Sequence, residues 1–476
     1  MELVFFRKEP SFATMKSIYL HVPFYFGSAV VFYFASQTIF YEILYHPDNL
    51  YLPLFVTDLK SKGISHWYLP PSTYAFPDMF LMYGLSFCVS LKTLPAAYGI
   101  LNLTLILLST YLLLKQELGQ SMARIAIHLL LLILLFSILV SYFHESSLNL
   151  FAFLFTSGHH TSAIYLFFCA IWFFRKKSLS CTSFACSLVI LFFSYLSDRY
   201  LLLCFLALFF VSGNRRDDSR FFLTVPTLLA AEVLFQYLTY FFHIPSSFPT
   251  LIKNLSDTSL SEFFLNNLLY FYVFIKLYVL KVNPLFHLIS VYLLIIALGN
   301  KKKMRLRPPF FVFGFLSFCF LGMIGRYAFP HPFPIRYLIP SLYCFFVYGL
   351  ILNGKKASPL YSQAPKFFAI AYLFLCLIIF FTVSFSPPKR ERLASVREGI
   401  LSYHLAQPNK RFWTSYIAEK KLRFWSENQL QPLPCDPEGK PYLWITGAFA
   451  NQFEVRADCP GESERIWLPN SLTKDF

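Results

Sequence analysis

One stretch of this chain is dense in carboxylates, imidazoles, aromatic rings and prolines: Tyr45-His46-Pro47-Asp48, then Asp58, then His66-Trp67-Tyr68-Leu69-Pro70-Pro71, closing on Phe76-Pro77-Asp78. A carboxylate can take the proton of a hydroxyl, and an imidazole can take or give one near neutral pH. Trp67, Tyr68 and Tyr74 fit an aromatic belt at a membrane interface, and equally a platform on which the C–H faces of a sugar ring could pack. Hydrocarbon cannot solvate such groups, so the rest of the chain must shelter or wet them.

The surroundings are apolar. Of 476 residues, 56% are hydrophobic, 20% aromatic and 14% charged, against about 25% charged in a soluble domain. Apolar runs near the length that crosses a bilayer, about 20 residues, recur along most of the chain. The reading is an all-α polytopic membrane protein of about 11–13 transmembrane helices with a small α+β extracytoplasmic C-terminal domain. The net charge of +16 comes from basic clusters beside apolar runs, which is how cytoplasmic loops look, so no nucleic-acid partner is expected. The first apolar run is long and lacks a small-residue cleavage site, so no cleavable signal peptide is expected.

Arg7, Lys8 and Lys16 precede that run, about 17–43, which puts the N-terminus in the cytoplasm and the Asp48 loop outside. Further inside markers are Arg175-Lys176-Lys177, Arg215-Arg216, Lys301-Lys302-Lys303 and Lys355-Lys356. Simple alternation of all the apolar runs conflicts with these markers once between residues 76 and 160 and once between 242 and 300. The short run 79–91, followed by Lys92 and Pro95, is a candidate for an element that does not cross, and so is 265–280 with its Lys276. The organisation expected is a transmembrane domain over 1–386, with its first external loop at 44–78, and a soluble outer domain over 387–476. In the latter, 394–406 reads as a short helix and Lys440–Thr446 as a strand. All of the ten cysteines but Cys435 and Cys459 lie in or at the ends of apolar runs. Those two are either a disulfide of an oxidising compartment or two free thiols.

P-loop, dinucleotide-binding and zinc-protease motifs are absent from the sequence. Gly158-His159-His160 is a pair, but neighbours on a helix point about 100° apart and rarely chelate one metal. His159 and His160 either start a helix or face an outer cavity as substrate contacts. Asp48 either caps the helix that follows or stands in irregular backbone at the interface; Pro53 favours a helix starting near 53, because proline past the first turn loses an internal hydrogen bond. Asp58 reads as part of a solvated face with Lys60 and Lys62, or as a substrate contact. Asp78 reads as the N-terminal charge of the next run. Arg199, Arg326 and Arg336 lie at outer ends of apolar runs and either anchor to headgroups or bind a phosphate. Asp198 could pair with its neighbour Arg199.

A cytoplasmic start, a first span, a large outer loop with an early Asp and many later spans resemble the GT-C superfamily of membrane glycosyltransferases, which includes protein O-mannosyltransferases and aminoarabinose transferases. The motif carrying the likeness is His46-Pro47-Asp48-Asn49, with Asn where a second acid often stands, so no metal is implied, although a divalent ion is compatible with the loop. The stretch from Asp58 to Asp78-Met79, Arg336-Tyr337-Leu338-Ile339-Pro340 and Pro441-Tyr442-Leu443-Trp444-Ile445 resemble uncharacterised bacterial members. The resemblance implies a bacterial inner membrane, a polyprenyl-phosphate-linked sugar donor and a glycan or lipid acceptor on the outer face. It implies Asp48 as catalytic base, with Asp58, Trp67, Tyr68, Asp78, His159, His160, Arg199, Arg326 and Arg336 toward substrate. A transporter or lipid flippase, which would place ionisable groups such as His128, Glu232, Lys276 or His287 at mid-membrane, and a non-catalytic envelope-assembly protein are the alternatives.

Overall fold

The computed structural model describes residues 24–33, 44–63, 69–70, 72–143, 150–157, 160–175, 181–198, 200, 219–241, 310–317, 333–354, 413–429 and 432–435, with short pieces within 259–272, 370–378 and at 398. Its elements are helices α1 (Phe24–Tyr33), α2 (Pro47–Lys62), α3 (Phe80–Leu85), α4 (Leu94–Leu118), α5 (Gln120–Phe143), α6 (Ser162–Arg175), α7 (Cys181–Ser197), α8 (Ser219–Phe241), α9 (Ile339–Gly354) and α10 (Tyr416–Trp425). Short turns of helix cover Ala75–Met79, Leu150–Phe155 and Phe333–Leu338. Among the described residues, three helical stretches are long and apolar enough to cross a membrane: Leu94–Leu118, Gln120–Val140 and Arg336–Gly354. Val189, Ile190 and Phe193 of α7 and Leu229, Val233 and Tyr237 of α8 face outward, an arrangement that water penalises and hydrocarbon does not.

The run 79–91 is not a span. It folds into the six-residue α3 and a series of turns, far short of the length a crossing needs. The next helix, α4, enters through Pro95 in its first turn, where the missing N–H has no intrahelical partner to lose. It ends at Gly119, whose φ of 81° and ψ of 170° suit only glycine. The Gly119 N–H donates to the Lys115 carbonyl, and the Gly119 carbonyl accepts from Ala123 at the start of α5, each at 3.0 Å. One residue therefore joins two long helices into an antiparallel hairpin.

A large apolar core joins α1, α4, α5, α6, α9, the Leu150–Phe155 turn and the 310–317 helix. A smaller one lies beneath α2, formed by Tyr51, Leu52, Phe55 and Val56 with Leu69, Tyr74, Met79, Met82, Leu94, Tyr98 and Phe235. The loop that looked hydrophilic in sequence is thus half core.

Two local expectations are corrected. Helix α2 begins at Pro47, not near Pro53. His46 caps it, its Nδ1 accepting from the Asp48 N–H at 3.3 Å, and Pro47 occupies the first helical position. Pro53 lies inside the helix because the carbonyl it deprives, that of Asn49, accepts from Ser157 Oγ at 3.1 Å instead. Asp58 does not lie on a solvated face: it is fully buried under α10. Of the tail, the described residues form α10 and two short strands, Trp413–Ser415 and Leu433–Cys435, paired in parallel with Trp413 opposite Leu433. Neither strand was expected, and Phe424 of α10 joins the large core. The expected strand at 440–446 and the Cys435–Cys459 bond lie outside what is described, as does nearly all of the expected helix at 394–406.

Candidate functional site

Two residues of α4 hold the segment that carries His160. Gly99 lets the Phe155 backbone close in; a Cβ there would stand 2.5 Å from the Phe155 carbonyl oxygen. One turn on, the buried Asn102 amide donates to the Leu154 carbonyl at 2.9 Å and to Thr161 Oγ1 at 3.0 Å. The chain then turns at His160, which has a φ of 60°. From the other side, the loop after α2 clasps the end of α7. Tyr74 N–H donates to the Ser197 carbonyl at 3.0 Å, and Phe76 N–H to Ser197 Oγ at 2.7 Å. Orphan groups at a helix end are thereby satisfied by the loop. Tyr74 too has positive φ, 52°. Non-glycine residues seldom adopt this conformation, and it clusters where a side chain must be aimed.

The aimed side chains meet. His160 Nδ1 lies 2.6 Å from Asp198 Oδ2, and its Nε2 lies 3.0 Å from the Tyr74 hydroxyl. Asp198 is fixed in turn, its Oδ1 accepting from Ser72 Oγ at 3.2 Å and from the Tyr200 N–H at 3.0 Å. With Nδ1–H given to the carboxylate, Nε2 accepts from the Tyr74 hydroxyl when the ring is neutral and donates to it when the ring is protonated. The imidazole sits between the rings of Tyr337 and Tyr200, with centroids at 4.8 and 4.9 Å. All three groups of this Tyr–His–Asp chain are buried. Burial, reinforced by Asp198, pushes the Tyr74 hydroxyl well above its ordinary pKa, so it stays protonated.

Tyr337 connects the chain to a second pair. The Arg336 guanidinium carbon is 5.3 Å from the Tyr337 ring centroid, and Arg336 Nη1 binds Asp48 Oδ2 directly, across 288 residues of sequence. Both partners are partly open to solvent, at 20% and 23%. Asp48 stands in the first turn of α2, where the helix dipole favours an anion. Beside it, a small cavity lined by Tyr33, Tyr45, Asn49, Thr156 and Ser157 has room for a water rather than a sugar.

No family model matches this chain, and no curated protein does.

A third carboxylate, Asp78, stands in the first turn of the Ala75–Met79 segment, ahead of α3, and is buried there. Tyr98 Oη donates to its Oδ1 at 2.5 Å and Ser162 Oγ to its Oδ2 at 3.3 Å. Burial pushes its pKa up to about 7, against the lowering effect of those hydrogen bonds.

Of the residues singled out in sequence, the fold brings Asp48, Arg336, His160 and Asp78 to one end of the helical body. Asp58 is elsewhere, committed to the tail: Arg423 Nη2 donates to its Oδ2 at 2.6 Å and Asn428 Nδ2 to its Oδ1 at 2.7 Å. Trp67, Tyr68, His159, Arg199 and Arg326 lie outside the described residues. The sequence carried no sign of Tyr74 or Asp198 as partners of His160. A tyrosine and an aspartate held on separate loops carry no local signal of meeting. Among the described residues no group of three His, Cys, Asp or Glu side chains could hold a metal ion.

Proposed function

We propose that this chain is a membrane glycosyltransferase that moves a sugar from a polyprenyl-phosphate-linked donor to an envelope acceptor, a glycan or lipid, on the outer face of a bacterial inner membrane. In this reading the chain has about 11–13 spans, its N-terminus lies in the cytoplasm, and its tail lies outside with the Asp48 loop. The observation that carries the reading is the Asp48–Arg336 pair. Glycosyl transfer from a lipid phosphate needs a base for the acceptor hydroxyl and a cation for the departing phosphate, and this pair supplies one of each. The phosphate of an incoming donor competes with Asp48 for the guanidinium, which it can bind through two oxygens. Asp48, released from Arg336, then takes the proton of the acceptor hydroxyl as that oxygen attacks the sugar carbon.

The test is to compare lipid-linked sugars and envelope glycans of a deletion strain complemented with wild-type or variant chain. Asp48→Asn keeps shape but cannot accept the proton; its transfer rate should fall about 10²–10⁴-fold at equal protein level. Arg336→Lys keeps charge but loses the planar fork and should show a marked defect as well. Unchanged glycans with Asp48→Asn would sink the mechanism. A second reading, a proton-coupled transporter or flippase, draws on buried Asp78 with its pKa near neutrality. It predicts that the deletion leaves sugar transfer in isolated membranes intact while a lipid-linked precursor accumulates on the inner leaflet.

A further inference from the structure

We propose that Tyr74, His160 and Asp198 are the acid half of the same transfer reaction: Tyr74 gives its hydroxyl proton to the departing lipid phosphate and is recharged from His160. This rests on the glycosyltransferase reading and adds a residue to it that faces the leaving group rather than the acceptor.

The chain of contacts has the form of a relay. Asp198, held by Ser72 and Tyr200, orients the ring through Nδ1, and the ring meets a hydroxyl through Nε2. An Asp–His pair oriented in this way stabilises an imidazolium and serves the hydroxyl on its far nitrogen. Two non-glycine residues with positive φ supply the two ends of that last hydrogen bond. Such backbone is retained where a side chain must be aimed. The relay lies beside the cation assigned to the phosphate: the Tyr74 hydroxyl feels the field of Arg336, and Tyr337 packs against both His160 and Arg336. The groups facing His160 are Asp198, Tyr74, Tyr200 and Tyr337, with Arg336 beyond Tyr337 and Asp78 beyond Ser162.

The step balances as follows. The acceptor oxygen bonds to the sugar carbon while Asp48 takes its proton. The bond from that carbon to the phosphate oxygen breaks, and its electron pair stays on the phosphate. The phosphate receives the Tyr74 proton as Tyr74 receives the Nε2 proton of the imidazolium, leaving neutral imidazole and an unchanged Asp198 carboxylate. Water later returns a proton to His160, and Asp48 loses one. The released phosphate monoester is the base that receives the proton.

Full-length protein in nanodiscs is given farnesyl-phosphate-linked mannose, glucose, galactose and aminoarabinose together with extracted envelope lipid and glycan as acceptors, and release of farnesyl phosphate is followed. A parallel set of donors carries fluorine next to the phosphate ester, which makes the released phosphate a weaker base. Tyr74→Phe should slow the parent donor by about 10²-fold or more and recover most of that rate with the fluorinated donor. Asp48→Asn should be equally slow with both. His160→Gln, which cannot recharge Tyr74, should slow the parent donor and likewise recover with the fluorinated one. Turnover by wild type with Tyr74→Phe unimpaired, or equally impaired with both donors, overturns the relay and leaves the glycosyltransferase reading standing. Absence of wild-type turnover with every donor overturns both.

Discussion

At the scale of single residues, environment decides what a carboxylate does. Three aspartates of the first loop begin with the same chemistry and end in three states. Asp48 is paired and half open, Asp58 is paired and sealed, and Asp78 is sealed among neutral donors. Asp78 makes a prediction with a definite sign. Its carboxyl titrates near 3.8 when exposed and near 7 in the fold. Between those values the folded state holds a proton that the unfolded state has released, so stability falls as pH rises from about 4 to about 7 and is level above that. Each unit of the difference is worth about 1.4 kcal/mol. Thermal midpoints in detergent should therefore be lower at pH 8 than at pH 5, and Asp78→Asn, which keeps an acceptor for Tyr98, should flatten that slope. A wild-type midpoint that rises between pH 5 and 8, with Asp78→Asn following it, would show that Asp78 does not set the slope.

At the scale of elements, the site is held by packing between helices rather than by any one of them. Helix α4 sets the His160 segment through Gly99 and Asn102. Gly99→Val forces its side chain into the Phe155 carbonyl and should destabilise by about 1–3 kcal/mol. Asn102→Leu keeps the volume but strands a buried carbonyl, and should cost about 1–3 kcal/mol. Denaturation in mixed micelles measures both, and values near zero would detach α4 from the site. Helix α2 is held from behind by the tail. Arg423, fully buried, binds Asp58, Glu419 at 3.3 Å and Asn428 at 2.8 Å, while Tyr45 packs its ring on Trp425 at 5.1 Å. Burial pulls the Lys420 pKa below its ordinary value against the pull of Glu419 beside it. Breaking such a buried network from one side is expensive, and removing both partners is less so. Arg423→Met should destabilise by about 3–5 kcal/mol, and Asp58→Asn in the same chain should restore part of it. Additive losses in that double-mutant cycle would mean the two do not act as a pair.

At the scale of the whole molecule, direct contact fixes which parts share an end. Asp58 touches Arg423, Asp48 touches Arg336 and His160 touches Asp198, so the first loop, the start of α9 and the described part of the tail lie together. Gly354, at the end of α9, packs on Leu118 at the end of α4, so the hairpin turn at Gly119 lies at the opposite end. In a chain stripped of its native exposed thiols, Ser61→Cys and Gln429→Cys should be labelled by an impermeant reagent from outside intact cells, and Ser121→Cys only after permeabilisation. Labelling of Ser121→Cys from outside would reverse the orientation drawn from the basic residues.

What the sequence determined by itself is whatever is local and additive. Runs of Leu, Ile and Phe make apolar helices whatever packs on them, as at Leu94–Leu118 and Gln120–Val140, and basic clusters mark the ends of such runs. Residues that hydrocarbon cannot solvate were legible as candidates for the same reason, which is why Asp48, Asp78, His160 and Arg336 could be picked out without knowing where they go. Tertiary structure decided their partners. Asp48 and Arg336 meet across 288 residues, and Tyr74 and His160 across 86; nothing within either neighbourhood encodes the other. The proline rule failed at Pro53 because Ser157, distant in sequence, supplies the missing hydrogen bond. The charge pattern around Asp58 failed because a helix from the tail covers it. A lone polar side chain reads as exposed until the fold brings its partner, and desolvation together with hydrogen bonding then sets whether it is a latch, an ion pair or an acid.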